Sequence, residues 1–163
     1  MKRQEQAALG LASLSLCCGI AVYFFFRTTD SLRLLQIAGI HEYFTSTTLQ
    51  LTPTWPNLVN AVPSGTHTFS FSIFTAIALG LTKRTLFLSC IAWVSINGLL
   101  EVSQLAESCP LQIAQCDYRL CRTFCACFTN GTFDWYDMAF LFVGGALAFS
   151  VVATLQADDW SIK

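Results

Sequence analysis

Between Asn130 and Leu155 the chain reads NGTFDWYDMAFLFVGGALAFSVVATL, two carboxylates followed by an unbroken apolar run. A helix needs roughly 20 mainly apolar residues to cross a bilayer, and this run supplies them. Backbone polar groups have no water to bond in hydrocarbon, so a single apolar run of this length predicts a helix rather than an open strand. Asp134 and Asp137 stand at i and i+3, which places them on one face near the helix start. The helix dipole favours negative charge there. Gly144, Gly145 and Ala146 follow in mid-run, where small residues let a second helix approach closely.

The remainder of the chain agrees with a membrane setting. Of its 163 residues only 12% are charged and 54% are hydrophobic, against about 25% charged in a soluble domain. The formal net charge is −1 and no basic stripe is present, which argues against a nucleic-acid partner. No repeat or long linker divides the sequence, so residues 1–163 are expected to form one all-α domain.

Four spans are predicted, over residues of about 7–26, 65–81, 85–105 and 134–155. The first follows a short charged start and is long enough to remain as an uncleaved anchor rather than a signal peptide. Arg27 to Ser64 is expected to be a loop, within which Ser31 to Tyr43 has the spacing of a surface helix. Pro53, Pro56 and Pro63 are expected to end any long helix there. The second span, Gly65 to Leu81, is rich in Ser, Thr and Phe and opens near His67. Thr82-Lys83-Arg84 forms a basic turn, and the third span then stays apolar until Asn97, Glu101 and Gln104.

In a four-span arrangement Lys2, Arg3, Lys83, Arg84 and Lys163 fall on one side, and Arg27, Arg33, Arg119 and Arg122 on the other. The short basic segments near the start and at Lys83-Arg84 predict a cytoplasmic location for that side and for both termini. The segment from Ser108 to Thr129 then lies outside. It holds Cys109, Cys116, Cys121, Cys125 and Cys127, and an oxidising face favours disulfides among them. Their pairing is not legible from spacing. A thiol–disulfide oxidoreductase would ordinarily use Cys-x-x-Cys, and this loop has none. Cys17, Cys18 and Cys90 fall within spans and are expected to pack as small apolar groups.

This topology brings three helix ends to the outer face: His67 at the start of the second span, Glu101 and Gln104 at the end of the third, Asp134 and Asp137 at the start of the fourth. Ionisable groups inside a membrane are costly and usually face the bundle interior or a wet cavity. A polar pocket is therefore expected there. Asp134 and Asp137 also suit plain helix capping at the interface. No HExxH-like spacing, glycine-rich phosphate loop or nucleophile elbow is present, so neither a metal nor a cofactor is expected and no reaction is indicated.

His67 within PSGTHTFSF, Glu101-x-x-Gln104 closing a span, and GTFDWYD leading into AFLFVGGALA together resemble the VanZ-like family of small multi-span bacterial membrane proteins. The resemblance covers roughly residues 63–151. It implies that His67, Glu101, Gln104, Asp134, Asp137 and Gly144 match family positions. Many members have Arg where this chain has Gly131 and Asn where it has Leu141. The Cys-rich insert between Leu105 and Asn130 also departs from the pattern. The resemblance implies a bacterial inner-membrane protein associated with the envelope, in some members linked to glycopeptide (teicoplanin) resistance. Its partners would be membrane lipids and an envelope lipid or glycopeptide-type ligand. Two further expectations are a non-catalytic accessory or scaffold subunit of a membrane complex and, second, a thiol–disulfide oxidoreductase.

Overall fold

The computed structural model describes residues 3–26, 56–104 and 133–157, and these are helical apart from short turns. The helices are α1 (Arg3–Phe26), α2 (Pro56–Ala78), α3 (Lys83–Ser103) and α4 (Trp135–Leu155). Three of them, α1, α3 and α4, are long and apolar enough to cross a membrane. Each 21-residue helix, α3 and α4, rises about 31 Å at 1.5 Å per residue, close to the thickness of a bilayer's hydrocarbon core.

Many large apolar side chains face outward, and several hydroxyls are buried beside the apolar core. Leu14, Leu88, Leu99, Phe142, Val143 and Leu147 point outward, while Thr68, Ser70, Ser72 and Ser89 are buried. Burying hydroxyls and exposing Leu and Phe is unfavourable in water and natural in lipid, where apolar side chains gain nothing by leaving their solvent. These features make the chain a membrane protein.

α2 is the central element. It packs against each of the other three helices, whereas α1 and α4 barely meet. Its Ser and Thr content keeps it out of the set of apolar spans, and the contacts explain that content. Ser70 Oγ donates to the carbonyl of Ala12 on α1 at 2.8 Å. Thr68 Oγ1 accepts from Asn97 Nδ2 on α3 at 3.1 Å, and Thr75 Oγ1 accepts from Trp93 Nε1 at 2.8 Å. A polar helix surrounded by protein can satisfy its hydroxyls internally, as a lipid-facing one cannot.

The same contacts fix the directions. Ala12 lies near Ser70 and Gly19 near Thr66, so α1 runs opposite to α2. Thr75–Trp93 and Thr68–Asn97 make α2 and α3 antiparallel. Gly145 approaches Val94, and Phe87 meets Phe149 edge-on at 6.0 Å, so α4 runs opposite to α3. One end of the assembly therefore carries the starts of α1 and α3 with Arg3, Lys83 and Arg84. The other carries the starts of α2 and α4 and the end of α3. Near the first end a core forms from Ala12, Ile73, Ala76, Leu86, Ala148 and Val152.

Glycines set the closest crossings. A Cβ on Gly144 would penetrate the carbonyl oxygen of Gly65, and one on Gly145 would lie 2.7 Å from Val94 Cγ2. α2 and α4 thus touch backbone to backbone, which is how small residues hold helices together in lipid. The turn between α2 and α3 passes through Gly80 at φ +85, a left-handed conformation that other residues adopt only at a cost. Thr82 then caps α3, exchanging hydrogen bonds with Thr85 in a capping box.

Three expectations need correction. α2 begins at Pro56, not at Gly65, so the end of the expected loop is helix. Pro63 does not break it. Pro56 opens the helix where its missing N–H is no loss. Around Pro63, Thr66 Oγ1 donates to the Val62 and Pro63 carbonyls and Thr68 Oγ1 to the Ser64 carbonyl. Those bonds lie past the proline; Pro63 itself removes only the bond to the Val59 carbonyl one turn earlier, and the helix continues across it. Second, Lys83 and Arg84 belong to the first turn of α3, not to a turn before it. Cys90 is buried as expected, but Cys17 and Cys18 are exposed on α1. The segment around 31–43 and the candidate disulfide residues Cys109, Cys116, Cys121, Cys125 and Cys127 lie outside the described residues.

Candidate functional site

The site builds up from the register of α2 and α3. The Thr68–Asn97 bond sets one level. One turn toward the start of α2 is Ser64, and one turn toward the end of α3 is Glu101. The helices are antiparallel, so both steps lead the same way. Ser64 Oγ donates to Asp137 Oδ1 at 2.6 Å, which brings α4 to the same level. Asp137 is buried, at 8% exposure, and Glu101 Oε2 is shielded from solvent. The two carboxylates of α3 and α4 thus stand at one end of the assembly, on the side opposite Arg3, Lys83 and Arg84.

A hydroxyl-to-carboxylate bond of 2.6 Å falls in the short range of charge-assisted hydrogen bonds. The Ser64 hydroxyl therefore ties α2 to α4. Below it, Leu141 is buried at 2% exposure, so apolar packing closes the site on the membrane-interior side. The arrangement presents carboxylate acceptors and hydroxyl dipoles. It suits a ligand that donates hydrogen bonds or carries positive charge.

The two aspartates do not act as a pair. Asp134 is the N-cap of α4 and accepts from the Tyr136 backbone N–H at 2.9 Å, which is the helix-capping role. Asp137, one turn on, faces inward. Gln104 is the C-cap of α3, its backbone N–H donating to the Glu101 carbonyl at 3.0 Å. His67 is half-buried and begins an aromatic row. Its ring lies 6.0 Å from Phe71, which stacks on Trp93 at 5.0 Å. Trp135 and Tyr136 are exposed at the start of α4, the placement that suits a headgroup-level aromatic belt.

Ser64 and Thr68 join this polar cluster with Asn97, and sequence reasoning singled out neither hydroxyl. A signal existed: Ser64, Thr68, Ser72 and Thr75 recur at helical spacing and form a polar stripe. Among the described residues no three His, Cys, Asp or Glu side chains group closely enough to hold a metal ion. The chain matches no family model, no curated protein and no solved structure.

Proposed function

We propose that this chain is a four-span membrane protein of VanZ-like type whose acidic end binds the polar part of an envelope lipid or a glycopeptide-type ligand at the outer face of a bacterial inner membrane. Binding, rather than catalysis, is the function. The observation that carries this reading is the buried Asp137, held by Ser64 at 2.6 Å at the level of Glu101. A carboxylate removed from water at a membrane interface is costly to keep. A ligand that meets it would recover part of that cost. His67 and Gln104 flank the same end, and Asp134 fixes the start of α4 that carries Asp137. α2 would be the fourth span, made possible by its enclosure among α1, α3 and α4.

Glu101→Gln and Asp137→Asn, singly and together, test the reading. Folded protein with altered teicoplanin susceptibility or envelope-stress response is the expected result. Folded protein with unchanged phenotype overturns it.

The intramolecular character of the Ser64–Asp137 and Thr68–Asn97 bonds favours a second reading, in which the chain is a scaffold or accessory subunit and its polar groups serve helix packing. That reading predicts loss of stability or assembly in the same variants, with no separate phenotype in those that remain folded.

A further inference from the structure

α2 and α3 meet along a polar seam. Ser64, Thr68, Ser72 and Thr75 recur at helical spacing on α2, and Ser89, Trp93, Asn97 and Glu101 stand four residues apart on α3. Most groups of the seam are satisfied by one another or by α4. Ser64 Oγ donates to Asp137. Thr68 Oγ1 donates to the Ser64 carbonyl and accepts from Asn97. The Trp93 indole N–H donates to Thr75 Oγ1.

Two hydroxyls break that pattern. Ser72 is fully buried and Ser89 is 3% exposed, and neither Oγ has a hydrogen-bond partner among the described residues. Ser72 faces the Cys90 thiol, a weak donor and acceptor that leaves most of the hydroxyl's capacity unmet. Ile73, Ala76 and Leu86 belong to the apolar core at this depth. Burying a hydroxyl there without a partner is costly. Two such groups on one helix pair call for an occupant that both donates and accepts hydrogen bonds. The chemistry of the groups narrows it further. Hydroxyls and a thiol offer no counter-charge, so an ion would not recover its lost hydration. The side chains are small, Ser72 and Ala76 on one helix and Ser89 and Cys90 on the other, which suits water better than any larger ligand.

We propose that the α2–α3 seam holds internal water, hydrogen-bonded to the Ser72 and Ser89 hydroxyls inside the helix assembly. Each hydroxyl then has the partner that its own helix pair does not supply, and α2 keeps its polar face without exposing it to lipid. The site is separate from the acidic end and does not depend on a ligand there.

The test uses the full-length protein in vesicles of phosphatidylethanolamine and phosphatidylglycerol. Brief X-ray radiolysis turns water into hydroxyl radicals, which oxidise thiols close to where they form. Mass spectrometry then reads oxidation at each cysteine. Cys17 and Cys18 are controls of identical chemistry: they are exposed on the apolar span α1, whereas Cys90 is buried. Water in the seam should make oxidation of Cys90 several-fold greater than that of Cys17 or Cys18, against the order of exposure. Ser72→Ala with Ser89→Ala should bring Cys90 down to their level. Oxidation of Cys90 no greater than that of Cys17 and Cys18 would mean a dry seam, with the hydroxyls turned onto carbonyls of their own helices, and would overturn the proposal. Unchanged oxidation of Cys90 in the double variant would place the water elsewhere and equally overturn it. So would a higher unfolding midpoint in that variant, the mark of hydroxyls that had no partner to lose. The comparison of thiols in the original chain needs no substitution, so it decides even where the double variant fails to fold.

Discussion

Asp134 and Asp137 show how three positions of separation divide identical chemistry. The first ends its reach on the backbone N–H of Tyr136; the second is withdrawn from water and held by Ser64. Substitutions should separate them. Asp134→Asn should be nearly neutral, because Asn caps a helix as well as Asp does, while Asp134→Ala should cost about 1 kcal/mol. Ser64→Ala should cost about 1–2 kcal/mol, as expected for an interhelical hydrogen bond to a charged acceptor at the edge of a membrane. Reversible unfolding in mixed micelles reads all three. A double-mutant cycle between Ser64→Ala and Asp137→Asn should give a coupling energy well above error. A coupling near zero would deny the bond any weight. The sequence located the carboxylates of this end but not the hydroxyl that binds one. Helical spacing alone gave Asp134 and Asp137 the same face, and only the capping geometry assigned them different partners.

At the level of elements, the outer three helices were legible because long apolar runs have few alternatives. Their observed bounds fall within a few residues of the expected ones. α2 was less legible for a physical reason. Its prolines and hydroxyls carry the signature of a loop in water, and only enclosure by three other helices turns them into interior groups. The crossing of α2 and α4 is the contact most sensitive to side-chain size. Gly144→Ala would drive a methyl group into the backbone of Gly65. Neither backbone can rotate away, so α2 and α4 must separate, at a cost of about 1–3 kcal/mol. Gly10→Ala is the matched control. A Cβ there meets nothing, and the better helix former should leave stability unchanged or raise it by up to about 1 kcal/mol. Thermal unfolding of both variants in one detergent is the measurement. Equal midpoints would show that the backbone contact is not what joins the two helices.

At the scale of the assembly, the described basic residues Arg3, Lys83 and Arg84 share one end with Glu5, while Glu101, Asp134 and Asp137 stand at the other. For α4 this agrees with the helix dipole, since its start is acidic. For α3 it does not, because Lys83 and Arg84 occupy the positive end of their own helix. Two basic residues there oppose the dipole by roughly 0.3–1 kcal/mol each. Orientation during insertion gives a reason to keep them, since basic residues in short loops and near span ends are retained on the cytoplasmic side. The two roles predict opposite responses to one change. Lys83→Gln with Arg84→Gln should raise the unfolding midpoint of purified protein in detergent, because the dipole conflict is relieved. The same variant should insert less uniformly in cells. A phosphatase reporter at Lys163, active only outside the cytoplasm, should be silent on the original chain and gain activity on the variant. Reporter activity on the original chain would place the basic end outside, and would move the Asp137 site to the cytoplasmic face.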